Sequence, residues 1–172
     1  MLLEFDNEAT PESYIPAAQQ AKVRVELPKR VLIADASGDR RRFLSFVLHK
    51  LKIEVTEAAG GMQAVELAME AYETGRSYDV VLIDADLPDL STTEAVRHLR
   101  SEGYSNSILA MASYAKPGER DSCQRAGCDD CLIKPITYPS LVRMLAKCAS
   151  DPTPVFLPNG YDSARPALGQ RV

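Results

Sequence analysis

The chain has 172 residues, a net charge of −4, 45% hydrophobic and 26% charged residues, which suits one globular domain with a full core and leaves little room for a second. The acidic balance argues against a broad nucleic-acid surface. No apolar run approaches the roughly 20 residues of a membrane span, and the first residues lack the basic and apolar regions of a signal peptide. A cytoplasmic protein that binds neither nucleic acid nor membrane is expected, and four cysteines are too few for a disulfide scaffold.

Residues 1–28 carry Pro11, Pro16 and Pro28 and no sustained apolar period, so a flexible N-terminal arm is expected. Residues 150–172 hold Pro152, Pro154, Pro158 and Pro166 and read as a disordered tail. The segment 29–149 reads as the folded domain. Val31 to Ala34 is a short apolar run ending in Asp35, followed by Phe43, Leu44, Val47, Leu48 and Leu51 at helical spacing. Ile53 to Thr56 is β-branched, and Gly60-Gly61 breaks the chain. Val65, Ala68, Met69 and Tyr72 mark a second helix that Gly75 can end. Val80 to Ile83 is a second buried strand, ending in Asp84. Ser91 and Glu94 have capping-box spacing for a third helix through Val96 and Leu99. Ile108 to Met111 is a strand, and a helix is predicted from about Pro117 to Ala126, closed by Gly127. Cys131 to Ile133 is a last strand before Lys134-Pro135, and Leu141, Met144, Leu145 and Cys148 line a final helix.

Five strands alternate with five helices. Continuously apolar strands are buried on both faces, which means a parallel sheet, and the alternation means a doubly wound α/β domain with helices on both faces. Its ligand crevice lies beyond the carboxyl ends of the strands. Asp35, Asp84, Ala112 and Lys134 stand there. Two carboxylates suit a hard divalent cation, and an ammonium suits a phosphoryl oxygen. Taken singly, each Asp also reads as a helix cap and Lys134 as a solvated loop residue; it is the joint pattern that points to a site.

At these residues the chain resembles the receiver domain of bacterial response regulators. Asp84 with Leu87-Pro88 downstream matches the family's phosphoacceptor region, Ala126-Gly127-Cys128-Asp129-Asp130 its A-G-x-D-D run, and Lys134-Pro135 its Lys-Pro, whose peptide bond is typically cis. The resemblance implies a flavodoxin-like sheet in strand order 2-1-3-4-5. It implies a phosphorelay function in which Asp84 accepts a phosphoryl group from a histidine kinase or phosphotransfer protein. Mg²⁺ would be held by Asp35 and Asp84, Lys134 would pair with the phosphate, and a downstream protein would read the surface of residues 112–131.

The departures from the family pattern fall at the site. Ala36 replaces the second acid after the first strand, which is a direct metal ligand in the family, so Mg²⁺ binding is expected to be weakened. Ala112 replaces the switch hydroxyl, Cys131 the switch aromatic, and Ser91-Thr92 the usual Asp-Gly. Asp86 is a candidate replacement metal ligand, though an exposed loop acid is its plainer reading. A second reading keeps the fold and makes the chain a pseudo-receiver, a protein-interaction module independent of phosphorylation. A third, enzymatic reading takes Asp84-x-Asp86 as the nucleophile motif of a haloacid-dehalogenase-type phosphatase; Leu87-Pro88 and the strand's place in the domain count against it, and no enzyme activity is expected. Cys123, Cys128 and Cys131 read as packing rather than zinc ligands, because no second close pair completes a set of four. Lys29-Arg30 and Arg40-Arg41-Arg42 read as solvated charged faces, with a phosphate or an acidic partner as the alternative.

Overall fold

A computed structural model describes residues 26–113 and 118–150. The flexible arm expected over residues 1–28 and the tail expected over 150–172 lie outside the described residues, apart from 26–28 and the backbone of Ser150. The elements run β1 (Arg30–Ala34), α1 (Gly38–Lys50), β2 (Glu54–Ala58), α2 (Gly61–Glu73), β3 (Val80–Asp84), α3 (Thr92–Ser101), β4 (Ser107–Ser113), α4 (Glu119–Ala126), β5 (Asp130–Lys134) and α5 (Tyr138–Ser150). All strand pairs are parallel and the order is β2-β1-β3-β4-β5, the doubly wound arrangement that strand–helix alternation and the family resemblance imply.

The two-residue period of the strands divides their side chains between two apolar layers. Leu32, Val81, Ile83, Ile108 and Ala110 pack against Ala64, Val65 and Ala68 of α2 and Ala95, Val96 and Leu99 of α3. Val31, Ile33, Val80, Leu82 and Leu109 pack on the other face against Leu44, Val47 and Leu48 of α1 and Leu141 and Leu145 of α5. Every side chain of Val31–Ile33 and Val80–Ile83 is buried, and truncating one of the larger ones to Ala would cost about 2–5 kcal/mol. Two expectations need correction. Phe43 recurs with the core positions of α1 but is 51% exposed, with Phe46 at 62%, because the helix turns its Leu44–Val47–Leu48 stripe to the sheet. α4 begins at Glu119, after Gly118 in the left-handed region at φ 80°, rather than at Pro117, which lies outside the described residues.

The helix ends are fixed by identifiable groups. Ser91 and Glu94 form the reciprocal capping box of α3. Gly60 offers α2 no side-chain cap. The carboxylate of Asp89, from the loop after β3, instead accepts from Gly61 N at 2.8 Å and Met62 N at 3.0 Å. Gly127 ends α4 at φ 113°, and a Cβ there would stand 2.9 Å from Arg100 Cγ. The same Arg100 donates to the carbonyls of Gly127, Tyr104 and Asn106 and to Asp129 Oδ2, while Asp129 Oδ2 also accepts from Ile108 N at 2.7 Å. The glycine and first aspartate of the Ala126–Asp130 run thus tie α3 to the β4–β5 pair.

Arg100→Met should lower stability by about 2 kcal/mol, because it strands partly buried carbonyl acceptors and one partly exposed carboxylate; chemical denaturation checks this, and a change within error would contradict it. The amides of Gly61 and Met62 hold the Asp89 carboxyl below its ordinary range. A group whose folded value is depressed stabilises above its unfolded value and loses that contribution as pH falls through the folded one. Thermal melts should therefore fall below about pH 4, less steeply in Asp89→Asn.

Candidate functional site

The parallel register brings the site together. Ala34 pairs with Ile83 across β1 and β3, so the next residues, Asp35 and Asp84, emerge side by side from the carboxyl edge of the sheet. Both side chains are completely buried. At roughly 5 Å and an effective dielectric of about 20, two carboxylates repel by about 3 kcal/mol, so the pair needs cations. Lys134, at the end of β5, extends past the end of β4 and its Nζ donates to Asp84 Oδ1. Its bond to Pro135 is cis.

The second cation is Arg40. Its Nε donates to Asp35 Oδ2 at 2.7 Å, and its Nη2 donates to Asp35 Oδ1 at 2.8 Å and to Asp84 Oδ2 at 2.6 Å. Each of the four carboxylate oxygens therefore accepts from Arg40 or Lys134, and the four groups sum to zero charge. The hydrogen bond to Asp35 is the main cause that pushes the Arg40 guanidinium above its ordinary value, so the charge is permanent.

Local structure explains why Arg40 reaches this place. Ser37 caps α1 and accepts from Arg40 N at 3.3 Å, which sets Arg40 in the first helical turn. Side chains of a helix lean toward its N-terminus, here back over the end of β1. A positive charge in a first turn opposes the helix dipole, and the buried carboxylates offset that cost. Asp35 Oδ1 also accepts from Ser37 N at 2.7 Å, and the Asp35 carbonyl accepts from Arg41 Nη1 at 2.5 Å. The hydroxyl of buried Thr92, which opens α3, donates to the Asp84 carbonyl and fixes the strand end from the other side. Among the described residues, every buried side-chain nitrogen and oxygen has a partner.

Asp35, Asp84 and Lys134 thus converge, but Asp86 does not complete a metal set. It is exposed, and its amide approaches Asp84 Oδ1 at 3.4 Å. Among the described residues no three His, Cys, Asp or Glu side chains are grouped to hold a metal. With Arg40 between the carboxylates and Ala36 without a ligand atom, the residues present do not fit a divalent cation. Asp35 and Asp84 instead form a carboxylate pair clamped by Arg40 and Lys134, and Asp86 has its plainer reading, an exposed loop acid. The reading of Arg40-Arg41-Arg42 as one solvated face is corrected in part: the Arg40 side chain is 46% exposed but sets its guanidinium on both carboxylates, Arg41 is 19% exposed, and Arg42 stays in solvent at 81%. The signal for Arg40 was its position, a cation in the first turn of the helix that follows a strand-end acid.

Ala112 is buried beside Ile133 near the end of β4, and Cys131 sits buried two pairs earlier, opposite Ala110. Neither supplies a hydroxyl or a ring to the crevice. Cys123, Cys128 and Cys131 are buried thiols. Burial raises the Cys131 thiol above its ordinary value, and a hydrogen bond with Cys123, with burial second, raises that of Cys128, which keeps both protonated and inert. A cleft of about 420 Å³ lined by Arg40, Phe43, Leu44, Lys134, Pro135 and Ile136 opens beside the charged cluster.

Comparison with known proteins agrees with this architecture. The chain is 31% identical over 163 residues to the virulence sensor protein BvgS of Bordetella pertussis, covering 89% of the chain and 13% of the sensor. It is 29% identical over 116 residues to two-component response regulator 24 of Arabidopsis thaliana, covering 67% of the chain and 81% of that protein. Among solved structures, the receiver domain of sensor histidine kinase PA1611 from Pseudomonas aeruginosa PAO1, which has a magnesium ion coordinated in its active-site cleft, superposes with a TM-score of 0.64 at 30% identity, covering 72% of the chain and 98% of that domain. The family profile for the response regulator receiver domain matches residues 31–146. With the parallel sheet in the order β2-β1-β3-β4-β5 and the acidic pair at its carboxyl edge, the chain belongs to the response regulator receiver domain family of two-component signalling.

Proposed function

We propose that residues 29–149 form a receiver that takes a phosphoryl group on Asp84 from the phosphohistidine of a kinase or phosphotransfer partner, slowly and with little conformational response. The observation that carries this reading is the placement of Asp84, a buried strand-end carboxylate with one oxygen on Lys134 and the other on Arg40. In the transfer, the P–N bond of the phosphohistidine breaks, a P–O bond to an Asp84 oxygen forms, and the imidazole leaves with the electron pair. Phosphoryl transfer is catalysed by positioning and charge neutralisation, and both cations supply these at the acceptor atom. The partner's histidine must reach Asp84, so the partner must land on the rim that carries Phe43 and the adjoining cleft. A downstream protein would read the surface of residues 112–131. The chain acts as a signalling module in the cytoplasm and turns over no substrate of its own, and its Mg²⁺ affinity is low, with Ala36 in place of the family carboxylate and Arg40 on both aspartates.

The pseudo-receiver reading is favoured by one observation: Ala112, buried at the end of β4, offers no hydroxyl to a phosphoryl group. A ligand shifts a conformational equilibrium only through its differential interaction with the two states. Without that contact, a phosphorylated Asp84 has little with which to distinguish them.

Incubation with a small acyl phosphate or phosphoramidate, followed by intact mass, should show slow gain of one phosphoryl group on the wild type and none on Asp84→Asn. Lys134→Ala should slow labelling by about 10²-fold. A wild type that never labels, even with a histidine phosphodonor protein, would leave the pseudo-receiver. In amide spectra, phosphorylation of the wild type should leave residues 112–131 nearly unmoved, whereas Ala112→Thr should gain a phosphorylation-dependent shift there. Large shifts in the wild type would show that the alanine is tolerated.

A further inference from the structure

We propose that Arg40 is the resident cation of this site: its guanidinium holds the place between Asp35 and Asp84 that a divalent metal requires, so the folded chain is built to work without Mg²⁺. The inference shares with the proposed function the location of the site, and it does not depend on Asp84 being phosphorylated.

Three features of the geometry support it. The first is occupancy. Arg40 donates to both oxygens of Asp35 and to one of Asp84, and Lys134 takes the fourth. Mg²⁺ is small, dehydrates reluctantly and needs free oxygens in near-octahedral array; here it would have to break three charge-assisted hydrogen bonds and stand beside a permanent positive charge. The second is charge. Compared with a strand end bearing two consecutive acids, Ala36 removes one negative charge and Arg40 adds one positive charge within the cluster. The sum is two units, the charge of the ion it would replace. The third is preorganisation. Ser37 caps the turn that carries Arg40, Asp35 accepts from Ser37 N, and Arg41 holds the Asp35 carbonyl. The guanidinium is thus aimed by the segment that carries the acid, and it pairs in the bidentate manner that a planar fork favours and a lysine could not reproduce.

One consequence separates this chain from a receiver that has only lost metal affinity. If Ala36 alone weakened the site, restoring the acid would restore the metal. If Arg40 fills the site, Ala36→Asp by itself should gain little, and the larger gain should require removal of the guanidinium.

The test titrates Mn²⁺ and Mg²⁺ into the wild type, Ala36→Asp, Arg40→Gln and the double variant. The readouts are paramagnetic broadening of the amides of residues 35 and 84 and the melting temperature at roughly 10 mM Mg²⁺, a concentration at which a millimolar site shows clear stabilisation. The wild type should show no saturable broadening and no shift in melting temperature. Arg40→Gln with Ala36→Asp should bind Mn²⁺ at least tenfold more tightly than Ala36→Asp alone, and Mg²⁺ should raise its melting temperature. Saturable wild-type binding at residues 35 and 84, or a double variant no tighter than Ala36→Asp, would overturn the proposal. Should the Arg40 variants not fold without metal, the wild-type titration still decides, and recovery of folding on adding Mg²⁺ would count for the proposal. Phosphorylation is not a readout here, so a chain that never labels Asp84 would sink the proposed function and leave this result standing.

Discussion

Two aspartates buried side by side at the edge of a parallel sheet cannot stay ionised without a counter-charge, and the arrangement of the site follows from how this chain supplies it. Arg40 bridges Asp35 and Asp84, and Lys134 completes the neutralisation. Those contacts draw the start of α1 onto the end of β1, and through Lys134 they tie the end of β5 to that of β3. The acidic pair is therefore a junction between elements far apart in the chain as well as a chemical site.

The sheet sets this up before any charge is considered. β1 and β3 are central, buried on both faces and in a register that ends them together, so the residues just beyond the last apolar positions face one another. Structural anchors then hold the neighbouring loops. Asp89 covers the start of α2, Thr92 grips the Asp84 carbonyl, and Arg100 with Asp129 joins α3 to the β4–β5 pair. Near the end of β4 the buried position beside Ile133 is Ala112, which has no hydroxyl, and Ser113 follows it as the last residue of the strand.

Much of this was legible in the sequence, because the governing signals are local and periodic. Continuous apolar strands, the spacing of Val65, Ala68 and Tyr72, the Ser91–Glu94 box and Gly127 each have one dominant physical reading, and the structure agrees with them. The convergence of Asp35, Asp84 and Lys134 was legible because strand ends in a parallel sheet share an edge. Phe43 was misread because periodicity gives the spacing of an apolar stripe and not its width, so a residue at its margin looks like core. Arg40 was misread because a run of three arginines carries no direction; only the three-dimensional placement of the first helical turn over Asp35 singles one of them out. Asp86 stands as the exposed loop acid of its plainer reading, for the converse reason. Alternation puts it on the side of Asp84 only if the strand continues, and β3 ends at Asp84.

The most direct measurement of the central claim is a crystal structure of the unmodified chain grown in high magnesium. The account predicts Arg40 Nε and Nη2 on the carboxylates of Asp35 and Asp84, with no metal between them. A magnesium ion bound to both aspartates, with the Arg40 side chain turned out to solvent, would contradict it.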